Sequence, residues 1–196
     1  MVAVTGRPQG NTMDALEAIM TRRSVRGYAA RPVPAKTAEQ LLAAAMQAPY
    51  AGSEEPWHFI VIDDPHILGS IPAISPYAEA RTPAPLAILV CADLYPPESR
   101  DMAVQSAMFH RNGAGAPKVQ TCAAATENLL LAAHALSLGA VWTAVYPDPD
   151  RMLGFANLFS LPDTIVPFAL VTVGYPAARS PPANRYREDR VHRNAW

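Results

Sequence analysis

The run Arg22-Arg23-Ser24-Val25-Arg26 gathers guanidinium groups and a hydroxyl within one short stretch of chain. Guanidinium forks match phosphate oxygens bidentately, and a hydroxyl between them adds a neutral donor, so the chemistry on offer is capture of a phosphorylated ligand. The run is positioned by the stretch from Met13 to Met20, which puts Met13, Leu16 and Met20 on one helical face with Ile19 beside them and Asp14 and Glu17 in the first turns. Cations near a helix C-terminus also answer the helix dipole and often face solvent. The run alone therefore leaves two readings, a phosphate seat and a solvated helix end.

Other candidate chemistry is sparse. Cys91 and Cys122 lack CxxC spacing and lie in apolar surroundings, so neither a disulfide nor a metal is expected from them. The five histidines show no HExxH or paired-ligand spacing, which again points to no metal. The net charge is −1 and no basic stripe interleaves with aromatics, so no nucleic-acid partner is expected. No apolar run reaches the roughly 18 to 20 residues that span a bilayer, and no basic segment precedes an apolar leader; the expectation is a cytoplasmic protein without membrane contact. With 196 residues, half of them apolar and 17% charged, the chain can bury the core of one compact domain.

Residues 1–12 read as a flexible tail and residues 13–196 as a single domain. After the first helix, Arg31-Pro32-Val33-Pro34 makes a turn, and Leu41, Leu42, Ala45 and Met46 repeat at helical spacing within residues 37–48, with Thr37 as N-cap. A Pro- and Gly-containing loop from Ala48 to Trp57 leads into a strand over residues 58–62, and a second buried strand covers residues 86–91. Residues 95–118 are the least interpretable, with a short helix at 101–109 as the best reading. Residues 119–138 give the longest helix, apolar nearly all round and ending at Gly139 as C-cap. Strands over 140–145 and 168–175 follow, separated by a short helix carrying Met152, Leu153 and Phe155. The Pro-rich and then basic tail from Pro176 to Trp196 is too long for a loop end and reads as an arm that wraps a second subunit.

Several residues carry bland readings. Trp57, Trp142 and Trp196 read as packing anchors, Glu127 and Asn128 as hydrogen-bonded structural groups within a dimer, His110 and Arg111 as loop residues, and Arg187, Arg190 and Arg193 as solvated or interfacial charges.

Taken in order, the Arg22 to Arg26 run, the Pro49 to Trp57 loop, the helical run Ala123 to Ala133, Gly139-Ala140-Val141-Trp142, the stretch Pro167 to Pro176 and the closing Arg185-Tyr186 through Val191 to Trp196 resemble the nitroreductase family of FMN-dependent oxidoreductases, in its short single-domain subgroup. The resemblance runs from Met13 to Trp196. It implies an α+β fold with a central, mainly antiparallel sheet flanked by helices, an intertwined homodimer with an extended C-terminal tail, and FMN bound at the subunit interface. Arg22 and Ser24 would meet the FMN phosphate and ribityl chain with Arg23 nearby, and Arg185 would add a further phosphate contact. Arg26 would reach the pyrimidine edge of the ring, where a cation stabilises the negative charge of reduced flavin. The Thr143-Ala144 segment would supply backbone donors toward flavin N5, and Pro49, Tyr50, Ala51 and Ser53 would come from the partner subunit.

The implied activity is hydride transfer from NAD(P)H through FMN to a small-molecule acceptor such as a nitroaromatic or quinone, with no obligatory catalytic side chain. The family loop commonly reads Pro-Ser-x-x-Asn-x-Gln-Pro-Trp, whereas Tyr50, Ser53 and Glu55 stand at its Ser, Asn and Gln positions, and Ala144 replaces a frequent glycine. Glu55 before Pro56-Trp57 is similar to the halotyrosine-deiodinase branch. Reductive dehalogenation and a non-catalytic flavin carrier or sensor therefore stand as alternatives.

Overall fold

The computed structural model describes residues 13–50, 55–78, 83–93, 116–178, 181 and 183–196, with only the backbone of Tyr77 and Ala116. The expectations for residues 1–12, for Ala51 and Ser53, for the helix at 101–109 and for His110 and Arg111 lie outside them.

Helix α1 (Ala15–Thr21) starts where the Asp14 carboxylate accepts from the Leu16 N–H at 2.9 Å and the Glu17 N–H at 3.4 Å. That cap satisfies amides that have no partner inside the helix. Only Ala18 is buried; Leu16, Ile19 and Met20 are 71, 55 and 64% exposed, so the apolar face expected of this helix is not covered by its own chain. Helix α2 (Ala35–Ala45) begins two residues ahead of the expected cap. Pro34 occupies the N-cap and Thr37 lies in the first turn, its N–H donating to the Pro34 carbonyl. Ala38, Leu41 and Ala45 form its buried stripe.

Strand β1 (Trp57–Ile62) is followed by a helix that the sequence reading passed over, α3 (Pro65–Ile74). Its start is well signalled: Asp64 accepts from the amides of His66 at 2.8 Å and Ile67 at 3.0 Å, and Pro65 takes the first helical position, where a missing N–H costs nothing. Strand β2 (Leu86–Asp93) is buried throughout except at Asp93. Helix α4 (Ala116–Ala135) then runs to β3 (Gly139–Ala144), helix α5 (Pro149–Phe159) and β4 (Ile165–Gly174). Gly139 is not the cap of α4. Ser137, with φ 62°, takes the left-handed position, and Gly139 already belongs to the strand.

The sheet has the order β1-β2-β4-β3 with every neighbour antiparallel. Between β2 and β4 the register steps from Val90 opposite Ala169 to Cys91 opposite Pro167, leaving Phe168 as the extra residue of a bulge. Proline lacks a ladder donor, which suits it to such an irregular place. The Phe168 carbonyl instead accepts from the amides of Val145 and Tyr146.

The long apolar runs of β2 and β4 follow from burial on both faces. On one side Ile88, Val90, Val171 and Val173 pack with Leu41, Leu129 and Ala133 of α2 and α4; on the other Leu89, Cys91 and Leu170 pack with Ile71 and Phe155 of α3 and α5. Removing a side chain such as Leu170 from this core would cost about 2–5 kcal/mol through lost transfer energy and the cavity left behind. The result is a mixed α and antiparallel β fold, as the sequence suggested. Among the described residues, no helix is long and apolar enough to cross a membrane.

Candidate functional site

The chain leaves α1 at Arg22 in extended conformation, with φ −56° and ψ 136°, and runs as an arm along the outer edge of β3. The Val25 N–H donates to the Ala140 carbonyl at 3.0 Å, and Ser24 pairs with Ala140 in a parallel bridge. Further along, the Ala29 N–H donates to the Tyr175 carbonyl at 2.8 Å and the Ala177 N–H to the Gly27 carbonyl at 3.0 Å, while the Arg31 guanidinium lies 3.8 Å over the Tyr175 ring. The arm thereby protects an edge that would otherwise be an open pairing template.

Two contacts fix the arm's height above the sheet. Gly139 and Gly174 face each other across β3 and β4. A Cβ on Gly139 would lie 2.7 Å from Val25, and one on Gly174 would lie 2.8 Å from the Tyr28 ring. Tyr28 itself is buried, its hydroxyl 2.7 Å from the Val25 carbonyl and 2.9 Å from the Thr172 hydroxyl. Burial pushes its phenol up to about 12, against the opposing influence of the Thr172 hydrogen bond and the Arg26 charge.

Alternation along the extended arm separates its side chains. Arg22, Ser24 and Arg26 share one side, and Arg23 and Val25 the other, where both line a cavity of about 510 Å³ with Glu17, Thr21, His134 and Tyr175. Arg22 is largely buried, and its Nε lies 3.2 Å from Glu127 of α4. Ser24 and Arg26 are exposed. The Arg23 guanidinium donates to the carbonyls of Met20 at 3.2 Å, of Arg22, and of Ala183 in the C-terminal tail at 3.0 Å. Arg185, two residues beyond Ala183, is exposed.

In the cavity, the Thr21 hydroxyl donates to the Glu17 carbonyl at 2.6 Å and sits 2.8 Å from His134 Nε2. A hydroxyl has one proton, so with that proton given to Glu17 the pair fits the His134 tautomer that carries its hydrogen on Nε2. Burial, then the positive charge of Arg22 and to a smaller extent that of Arg23, holds His134 below its ordinary value of 6.5, against the pull of Glu17.

Strand β3 supplies the site's other wall. The Ala140 carbonyl points away from β4 toward Val25, and backbone groups alternate sides along a strand, so Trp142 and Ala144 turn theirs to the same outer edge. Thr143 is buried and Ala144 exposed. The Ala144 carbonyl accepts from Arg151 Nη1 at 2.9 Å, and Arg151 Nε lies 3.3 Å from Asp148, which also caps α5. Pro49 is exposed, and Tyr50 stands edge-on to Trp57 with ring centroids 5.9 Å apart.

Arg22, Ser24 and Arg26 thus occupy alternate positions of the arm, and Ala144 lies on the strand that the arm follows. Tyr28, Arg151 and the Thr21–His134 pair were not singled out from the sequence. Tyr28 had a usable signal, an aromatic two residues past the last arginine of the run; Arg151 had none beyond its place in the first turn of a helix. Glu127 and Asn128 find partners within the chain, with Arg22 and with the Ala44 carbonyl at 3.2 Å. Trp57 is buried and Trp142 half-buried against Phe168, as packing anchors should be, whereas Trp196 is fully exposed and stacks on His192. Among the described residues, no group of His, Cys, Asp or Glu could hold a metal ion.

The Nitroreductase family profile matches residues 19–175. A curated relative from Methanothermobacter thermautotrophicus, provisionally named NADH dehydrogenase/NAD(P)H nitroreductase, is 43% identical over 184 residues, covering 94% of this chain and 88% of the relative. A crystal structure from Parabacteroides distasonis under the same provisional name is 37% identical with a TM-score of 0.79, covering 93% of this chain and 98% of that one. An FMN-dependent nitroreductase from Clostridium difficile shares the fold at 22% identity, with a TM-score of 0.74 and coverage of 92% of this chain and 99% of that one. The arm, the edge strand it follows and the helices behind them are therefore those of a member of the nitroreductase family, to which this chain belongs.

Proposed function

We propose that this protein is an FMN-dependent oxidoreductase that works as a homodimer, takes hydride from NADH or NADPH, and passes electrons to a nitroaromatic, quinone or related small acceptor. The observation that carries the reading is the arm: two arginines and a serine hydroxyl on one side of an extended segment, bonded to a strand whose outward backbone groups lie alongside.

The donor set fits a flavin mononucleotide. Arg22 and Ser24 offer a charged fork and a hydroxyl to a phosphate and a polyol, and Arg185 lies at most about 7 Å of chain from the tail residue held against the arm. Arg26, four residues on from Arg22 and exposed, would stand at the ring's pyrimidine edge, and the outward N–H of Ala144 would donate toward the reacting edge. When bound, the flavin supplies the hydride-accepting chemistry that no side chain of this chain can provide. The protein's own work is then positional and electrostatic. Arg22 and Arg185 neutralise phosphate charge, Arg26 meets negative charge where it develops, and Arg151 holds the Ala144 carbonyl so that this stretch of β3 keeps one geometry.

A second subunit is supported by what one chain leaves uncovered: Leu16, Ile19 and Met20 on α1, Tyr50 on the loop after α2, and Tyr186, Val191 and Trp196 on the tail are all exposed apolar side chains. Pro49, Tyr50, Ala51 and Ser53 are proposed to complete the partner's site.

The test is an anaerobic visible spectrum of the purified protein after FMN loading and removal of excess, followed by NADPH and NADH titration. Retained flavin that bleaches with either nicotinamide is expected. A protein that retains no flavin, or retains it without reduction, would overturn the oxidoreductase reading.

A further inference from the structure

We infer that Arg23 is a positioning residue, a clasp that holds the C-terminal tail to the arm and delivers Arg185 to the phosphate seat, instead of meeting the phosphate itself. The inference rests on the flavin-binding reading above for its consequence, though not for the clasp.

Arg22 and Arg23 are adjacent and identical in chemistry, yet their guanidinium groups take different partners. Arg22 faces Glu127. Arg23 faces the cavity beside Glu17 and His134, and its two terminal nitrogens are already committed to backbone carbonyls: Nη1 to Met20 and Arg22, Nη2 to Ala183. Its Nε is buried and has no hydrogen-bond partner among the described residues, so it is not turned outward to a ligand in solvent. One planar fork thus joins the end of α1 to a residue 160 positions later.

The join matters because it ties the tail to the arm at a second point. Among the described residues, Ala177 is tied to Gly27 and Ala183 to Arg23. The two positions are six apart in sequence, a stretch of chain that can span at most about 20 Å. Arg185 lies only two residues past the clasp, so fixing Ala183 confines Arg185 to the arm's neighbourhood. Lysine could keep the charge but not the geometry, since a single ammonium cannot span carbonyls on two segments as the guanidinium fork does.

The experiment compares the full-length wild type with Arg23→Lys, Arg23→Gln, Arg185→Gln and the Arg23→Gln/Arg185→Gln double variant. Affinities for FMN and for riboflavin, which lacks the phosphate, are measured by flavin fluorescence. Limited trypsin cleavage after Arg185 and Arg187 is followed by mass spectrometry on flavin-free protein. A clasp predicts that both Arg23 variants, the charge-retaining lysine included, speed tail cleavage roughly tenfold. It also predicts that they lower the preference for FMN over riboflavin as much as Arg185→Gln does, and that the double variant is no worse than either single one. The proposal is overturned by unchanged tail cleavage, by additive losses in the double variant, which would make Arg23 a direct phosphate ligand, or by parallel losses of FMN and riboflavin, which would make it merely structural. If wild type shows no preference for FMN, the phosphate reading fails, and the cleavage comparison in flavin-free protein still decides whether Arg23 holds the tail.

Discussion

Val25 sits directly over Gly139: a Cβ placed on that glycine would come within 2.7 Å of the Val25 Cβ and Cγ1. The contact lies beside the hydrogen bond from the Val25 N–H to the Ala140 carbonyl, so the missing side chain at Gly139 is what lets the arginine-bearing arm bond to the edge of the sheet. The obstruction is a β-branched side chain close to its backbone, which has little freedom to yield.

Gly139→Ala is therefore expected to lower unfolding free energy by about 1–3 kcal/mol through overpacking and to weaken flavin retention, because the arm must lift. Gly69→Ala is the internal comparison. Gly69 lies inside α3 with nothing within 4 Å of its would-be Cβ, so alanine there should raise stability by about 0.5–1 kcal/mol with flavin binding unchanged. Denaturant titration of the two variants with a flavin-binding assay checks both. Equal behaviour of the pair would show that the arm is not held at the height the structure gives it.

Buried acids make stability fall on the alkaline side. Tyr28 is pushed from 10.0 up to about 12, and the buried thiols of Cys91 and Cys122 from 9.0 up to about 12, in each case mainly by burial. When the folded value is raised, the unfolded chain releases its proton first, so the stabilisation is complete below the unfolded value and lost as pH climbs toward the folded one. The expected window opens near pH 9 for the thiols and near pH 10 for Tyr28, with a slope of up to about 1.4 kcal/mol per pH unit from each group. Tyr28→Phe should be less stable at neutral pH by about 1–3 kcal/mol, because it leaves the Val25 carbonyl and Thr172 short of a partner. It should also fall less steeply than wild type above pH 10. Urea unfolding at pH 7, 9, 10 and 11 separates the two effects; parallel curves would mean that Tyr28 does not stay protonated in the fold.

How much could be read from the chain differs by element for physical reasons. Strands β2 and β4 were legible because two-sided burial writes continuous apolar runs such as Leu86 to Ala92. The arm was legible as a candidate site because donor chemistry is concentrated at Arg22, Ser24 and Arg26. Helix α3 was missed although Asp64-Pro65 signals its start, since Gly69 and Pro72 interrupt the periodicity that such a reading follows. The division of labour between Arg22 and Arg23 was not legible at all. It depends on which way an extended segment is rotated against β3, and that is set by Gly139 and Tyr28, which are distant from each other in sequence.

Glu127 supplies the last expectation, and it is a gain. Its carboxylate, 3.2 Å from Arg22 Nε, orients the guanidinium but also offsets part of the charge that a phosphate would meet. Glutamine keeps the size of the side chain and an oxygen that can still accept from Nε, while removing the negative charge. Glu127→Gln should therefore bind FMN about 1.4- to five-fold more tightly, the range set by an ion pair worth about 0.2–1 kcal/mol, with a steeper loss of affinity as salt rises. Glu127→Ala removes the acceptor as well, so its gain should be smaller or reversed. Fluorescence titration with FMN at low and high salt tests the pair. A weaker-binding glutamine variant would mean that the carboxylate's charge, and not only its hydrogen bond, is needed to hold Arg22 on the ligand side of the arm.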